Sequence, residues 1–82
     1  MPRIANVPEP YWLYFYSFDC NERMHVHVRR ENKTCKFWLR PVTLAANHRF
    51  EPRELNEIRR IIIDNESTII EVWHEHCGQH GN

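Results

Sequence analysis

HVHVRRENKTCKFWL, residues 25–39, is the stretch that decides the fold. His25 to Arg30 alternates polar and apolar side chains with period two, the pattern of a strand with one buried face. Glu31 to Thr34 (ENKT) reads as a turn, and Cys35 to Leu39 as a further strand that Pro41 ends. Upstream, Tyr11 to Tyr16 is aromatic and apolar throughout, so it is the natural first strand, and Phe18 to Met24 is polar enough for a hairpin loop. Val42 and Leu44 alternate and allow a short fourth strand, with a loop at Asn47 to Phe50.

Beyond residue 50 the period changes. Leu55, Ile58, Ile61 and Ile62 recur at helical spacing, with Arg53, Glu57 and Arg60 opposite. Pro52 suits a first helical position, and Asn65 can stop this helix and cap the next. Ile69, Ile70, Val72, Trp73 and Cys77 make the apolar stripe of a second helix, and Gly78 is a natural C-terminal cap. The expected fold is α+β: a three-stranded, possibly four-stranded, antiparallel sheet backed by two C-terminal helices, in the order β-β-β-α-α. One domain over residues 1–82 is expected, with an extended lead-in at 1–10 and a tail at 79–82.

Strand alternation sorts the sheet into two faces. Leu13, Phe15, Val26, Val28, Phe37 and Leu39 share one parity and should pack on the helices with Leu55, Ile58, Ile62, Ile69 and Trp73. The other parity carries Trp12, Tyr14, Tyr16, His25, His27, Arg29, Lys36, Trp38 and Arg40. A solvent face so aromatic and basic reads as an interaction surface. On one reading it docks a protein partner or a second copy of the chain. On another it binds RNA, with His25 and His27 roughly 7 Å apart on one strand face as general acid and base. Whether the protein is an enzyme is left open by these residues, which suit both readings. A third reading is a metal site gathering His25, His27, His74 and His76, although two histidines two residues apart on a strand supply too few ligands alone.

Composition removes several classes. The chain has 82 residues, no formal net charge and glycine only at Gly78 and Gly81, so a phosphate-cradling glycine loop is impossible. Ser17 and Ser67 lie in no GxSxG context, and His74-Glu75-His76 is not a zincin HExxH motif. No cofactor is expected. The zero charge hides an asymmetry, since residues 1–40 are net basic and residues 41–82 net acidic. No apolar run approaches the roughly 20 residues of a membrane span, and the N-terminus lacks a signal-like stretch. With Cys20, Cys35 and Cys77 odd in number and no CxxC pair, reduced thiols in a cytoplasmic protein are expected. Cys77 and His80 straddle the expected helix end and read as tail.

An ordered set of motifs spans nearly the whole chain. HVHV at 25–28 is followed by KFWL-x-PV-x-LA-x-N at 36–47, EL-x-x-I at 54–58, and WHEH at 73–76 with Gly78 close behind. The set resembles the small prokaryotic family named domain of unknown function 4160. This chain departs from many members in having Arg23-Met24 where they carry a proline pair, and Arg49 where they carry glycine. The resemblance implies no catalytic residues. Genes of that family often neighbour a second small family, domain of unknown function 2442, so the resemblance implies one half of a toxin–antitoxin pair, with a small antitoxin-like protein as partner.

Overall fold

The computed structural model describes residues 10–16 and 19–78. The lead-in at 1–10, apart from Pro10, and the tail at 79–82 lie outside the described residues, as do Ser17 and Phe18. Four strands form one antiparallel sheet in sequence order: β1 (Trp12–Tyr14), β2 (His25–Arg30), β3 (Lys33–Trp38) and β4 (Thr43–His48). Two helices follow, α1 (Pro52–Asp64) and α2 (Glu66–Cys77). The fourth strand is present, and it is longer than the Val42/Leu44 alternation indicates.

The register follows from the expected parity. Val26 and Val28 stand opposite Phe37 and Cys35, and Leu13 opposite Val28. The β2–β3 hairpin turns through Glu31 and Asn32 alone, because Arg30 already pairs with Lys33. That tight turn needs a left-handed residue, which Glu31 supplies at φ 56°. Between β3 and β4 the register slips at Lys36/Phe37, leaving Ala45 as an extra residue that kinks β4. On either side of the kink β4 is largely exposed, at Leu44, Ala46, Asn47 and His48.

Every sheet residue assigned to the core is buried: Leu13, Phe15, Val26, Val28, Phe37 and Leu39, together with Ile58, Ile62, Ile69 and Trp73 from the helices. Leu55 packs on this core but is only partly buried. Tyr11, Cys35, Phe50 and Ile70 join it. Trp73 is wholly enclosed, with Phe15 edge-on at 5.3 Å between ring centroids.

Local chemistry sets the helix ends. The Glu51 backbone N–H donates to Glu54 Oε1 at 3.0 Å, closing the first turn of α1 ahead of Pro52. Glu54 also receives Lys33 at 3.0 Å, so the first turn of α1 is pinned to the β2–β3 hairpin. The Glu51 N–H, and then the Lys33 ammonium, hold the Glu54 carboxyl below its ordinary pKa. At the other end Asn65 stops α1, and its side-chain amide donates back to Ile61 O at 2.8 Å. Its side chain therefore serves the end of α1 and makes no cap on α2. Gly78 caps α2 at φ 75°.

Two expectations need correction. Asn47 and His48 belong to β4, not to a loop. Asn47 looked loop-like because its side chain builds the following bend: its amide donates to Phe50 O at 3.0 Å, and its Oδ1 accepts from Phe50 N at 3.1 Å. The cysteines are not all reduced. Cys20 and Cys77 form a disulfide across 57 residues, while Cys35 is free and buried. A pairing at that separation leaves no local spacing signature, so a search for CxxC misses it.

Replacing Phe37 with Ala should cost about 3–5 kcal/mol, because the ring is enclosed between sheet and helices. Urea unfolding would show this as a fall in midpoint at unchanged slope. A second substitution should work in the opposite direction. Arg49 is exposed and sits at φ 81°, where a Cβ is strained. Arg49→Gly should stabilise by about 0.5–1 kcal/mol, the relief of left-handed strain outweighing glycine's added unfolded-state freedom. A thermal midpoint that falls or does not move in this variant would contradict the strain argument.

Candidate interaction face

With the helices on one side, the opposite side of the sheet is the surface that remains. It is built from alternate residues of paired strands. Trp12 stands opposite Arg29, Tyr14 opposite His27, His27 opposite Lys36, and Lys36 opposite Ala46. Antiparallel pairing thus sets aromatic and cationic side chains beside one another.

The cations lie on the rings. The Arg29 guanidinium sits 5.4 Å from the Trp12 ring centre. Trp38 carries two cations, Lys36 Nζ at 4.5 Å and the Arg23 guanidinium at 5.5 Å. Arg23 is held there by the carbonyls of Arg40 at 3.0 Å and Leu39 at 3.4 Å. Lys36 also meets Glu22 at 2.7 Å. Each such cation–π contact is worth about 0.5–1 kcal/mol when exposed. Their larger effect is to fix flexible side chains against the rings, with Arg23 also held by two carbonyls and Lys36 by Glu22.

Toward the middle of the face, Tyr14 stacks on His27 at 5.4 Å and Tyr16 meets His27 edge-on at 4.7 Å. These three, with Lys36, Ala46 and His48, line a shallow groove of about 290 Å³. Burial pushes the Tyr14 hydroxyl above its ordinary pKa, so it stays protonated and can donate. The Cys35 thiol is pushed up to about 12 by burial and is no nucleophile at neutral pH.

The face departs from simple alternation at two of its expected residues. Trp12, Arg29 and Arg40 are exposed, and Tyr16, His27, Lys36 and Trp38 are partly exposed. Tyr14, however, is buried, covered by its ring neighbours Tyr16 and His27. His25 is wholly enclosed as well. Its ring lies between His27 at 5.0 Å and Trp38 at 5.7 Å on one side and Trp73 at 5.3 Å on the other, and its Nδ1 is 2.7 Å from Arg23 O. Parity sorts the middle of a strand well. At its first residue a side chain can be drawn under its neighbours, and here Trp38, Trp73 and the Arg23 carbonyl enclose the ring. Arg40 lies past the end of β3 in a turn, at φ 55°.

The histidines do not gather into the metal site considered from sequence. Among the described residues, the group of three or more metal-ligating side chains that converges is Cys20, His76 and Cys77. His76 is the one candidate ligand in it; His25, His27 and His74 lie elsewhere. His76 is part-buried against Phe15, its Nε2 3.1 Å from Tyr16 O. Sequence reading missed the partnership of His76 with the two cysteines, because Cys20 lies in the β1–β2 connection and is distant in sequence.

Residues 11–74 match the family described as Domain of unknown function (DUF4160). The chain belongs to that family. The matched span runs from the start of the sheet through most of α2, so it includes the outer face and stops short of Cys77. No curated protein and no solved structure matches the chain. No helix among the described residues is long and apolar enough to cross a membrane.

An enclosed His25 should behave as a structural residue. His25→Ala should destabilise the fold by about 2–4 kcal/mol, through the lost ring volume and the stranded Arg23 carbonyl. His27→Ala, partly exposed, should cost well under half as much in the same denaturant titration.

Proposed function

We propose that this DUF4160 chain is a cytoplasmic interaction module, one component of a toxin–antitoxin-like pair, and that it docks a small acidic antitoxin-like protein against the outer face of its sheet. The observation that carries this reading is the placement of cations over Trp12 and Trp38. A base stacking on either ring would have to displace the guanidinium or ammonium already there. A partner carboxylate need not, since it can pair with the exposed Arg29 guanidinium on Trp12 while apolar partner atoms cover the ring edges. Large aromatics flanked by arginine are the usual anchors of protein interfaces. Among the described residues β4 is an edge strand of the sheet and is largely exposed, which offers a backbone edge beside that face.

The competing ribonuclease reading needs two solvent-reaching imidazoles. His25 is enclosed, with Nδ1 committed to a backbone carbonyl, and this favours docking over catalysis.

The direct test titrates the chain with the protein encoded by the neighbouring gene and repeats the titration with variants. Trp12→Ala and Trp38→Ala should each weaken association by about 2 kcal/mol, roughly thirtyfold in Kd. Arg29→Glu should slow association and flatten its salt dependence. His27→Ala should change little. Cleavage of total RNA that disappears in a His25→Ala/His27→Ala variant still shown to be folded would replace this reading with the nuclease one. A complex whose Kd ignores both tryptophans would place the interface elsewhere.

A further inference from the structure

Cys20, His76 and Cys77 come from opposite ends of the described chain. Cys20 sits in a short 3₁₀ turn, Asp19–Asn21, between β1 and β2, and His76 and Cys77 close the last turn of α2. Their two sulfurs and one imidazole nitrogen lie within 4.8 Å of one another, all partly buried. We propose that Cys20, His76 and Cys77 form a metal-binding site, which takes a zinc-like divalent ion through two thiolates and one imidazole when the Cys20–Cys77 bond is reduced.

Donor chemistry and geometry both point this way. Tetrahedral zinc, with bonds of about 2.3 Å to sulfur and about 2.0 Å to nitrogen, sets its donors roughly 3.5–3.8 Å apart. In the disulfide the two sulfurs are bonded and the imidazole nitrogen lies within 4.8 Å of both, so reduction need only let the sulfurs separate to that spacing, with the cysteine Cα atoms 5.4 Å apart. Thiolate and imidazole together select soft or borderline ions over magnesium or calcium. His76 is also held as metal-bound histidines are held. When its Nε2–H donates to Tyr16 O, Nδ1 keeps the lone pair, and stacking against Phe15 fixes the ring plane. Three protein donors leave one tetrahedral position for water or another side chain.

Disulfide and metal use the same two sulfurs, so they exclude each other. A dithiol reductant supplies two electrons and two protons to break the S–S bond, and itself closes to a disulfide. Metal binding then releases the two thiol protons to solvent. Either state ties the β1–β2 connection to the end of α2. The site shares only Tyr16 with the outer face, through the carbonyl that meets His76, and uses none of the tryptophan–cation pairs.

The test titrates cobalt(II), then zinc(II), into untagged protein that has been reduced and stripped of metal, with circular dichroism followed in parallel. Expected is one cobalt per chain with thiolate-to-metal charge-transfer absorption, displaced by zinc, and a higher thermal midpoint with zinc than without. Cys20→Ser and Cys77→Ser should each abolish that absorption. His76→Ala should keep it and lose about tenfold or more in affinity. Cys35→Ala should bind as the parent does, and the oxidised protein should bind no metal at this site. Cobalt bound without charge transfer, as exposed histidines alone would give, overturns the proposal. So does a reduced chain, folded or not, that binds zinc no better than Cys20→Ser/Cys77→Ser and is not stabilised by it.

Discussion

Two helices can cover only one side of this sheet, and the rest of the structure depends on that limit. The helices have 13 and 12 residues, so each is about 18–20 Å long, while four strands at about 4.8 Å spacing make a sheet some 14 Å across. Side by side they just blanket one face. In a chain of 82 residues nothing else among the described elements can cover the other. The sequence is consistent with that limit at nearly every sheet position. Val26 and Val28 take the inward parity in β2, with Arg30 at its end the charged exception, and the outward parity carries side chains that are both apolar and polar. Trp, Tyr, His, Lys and Arg can each lie flat on a sheet while keeping a polar tip in water. Stacking them in pairs across strands buries part of their apolar area without a third layer.

The ends of the blanket need separate fixing, because helices this short gain little from their own propensity. At the start of α1 the Lys33–Glu54 pair and the Glu51–Glu54 turn join helix to hairpin. At the end of α2 the joint is covalent. Closing a loop of 57 residues by a disulfide lowers the entropy of the unfolded chain by an amount worth about 4 kcal/mol. For a domain whose whole stability is expected near the low end of about 5–15 kcal/mol, that is a large share. A reducing environment would remove it, so a metal on the same sulfurs would keep the joint closed where a disulfide does not last.

How much of this was legible in the sequence depends on how far each signal had to reach. Period-two alternation at 25–30 and helical spacing at 55–62 are local, and they placed β2, α1 and the buried face correctly. The Pro52 and Gly78 signals are local too, and both helix ends fall beside them. The strand ends blurred where side chains serve two elements. Asn47 is a strand residue whose amide builds the next turn, and Lys33 is a strand residue that looked like part of one. His25 was read as exposed because parity takes no account of neighbours closing over the first residue of a strand. The Cys20–His76–Cys77 cluster had no local signal at all. It becomes visible only once the meander and the helical pair are assembled, since assembly alone brings residue 20 to residue 77.

The outer face and the cysteine joint are structurally continuous through Tyr16. Its carbonyl faces His76 Nε2 at 3.1 Å, which orients the imidazole beside the two cysteines. Its ring meets His27 edge-on and lies beside Tyr14, so it also lines the groove on the outer face. The connection is short, made of packed rings and one hydrogen bond. Tyr16 lies two residues past the end of β1, and its carbonyl meets His76 on the helix. Had β1 run on through Tyr16, as the aromatic run leads one to expect, that carbonyl could have been drawn into strand pairing with β2. The early end of β1 is therefore what lets a residue at the edge of the sheet serve both the groove and the joint.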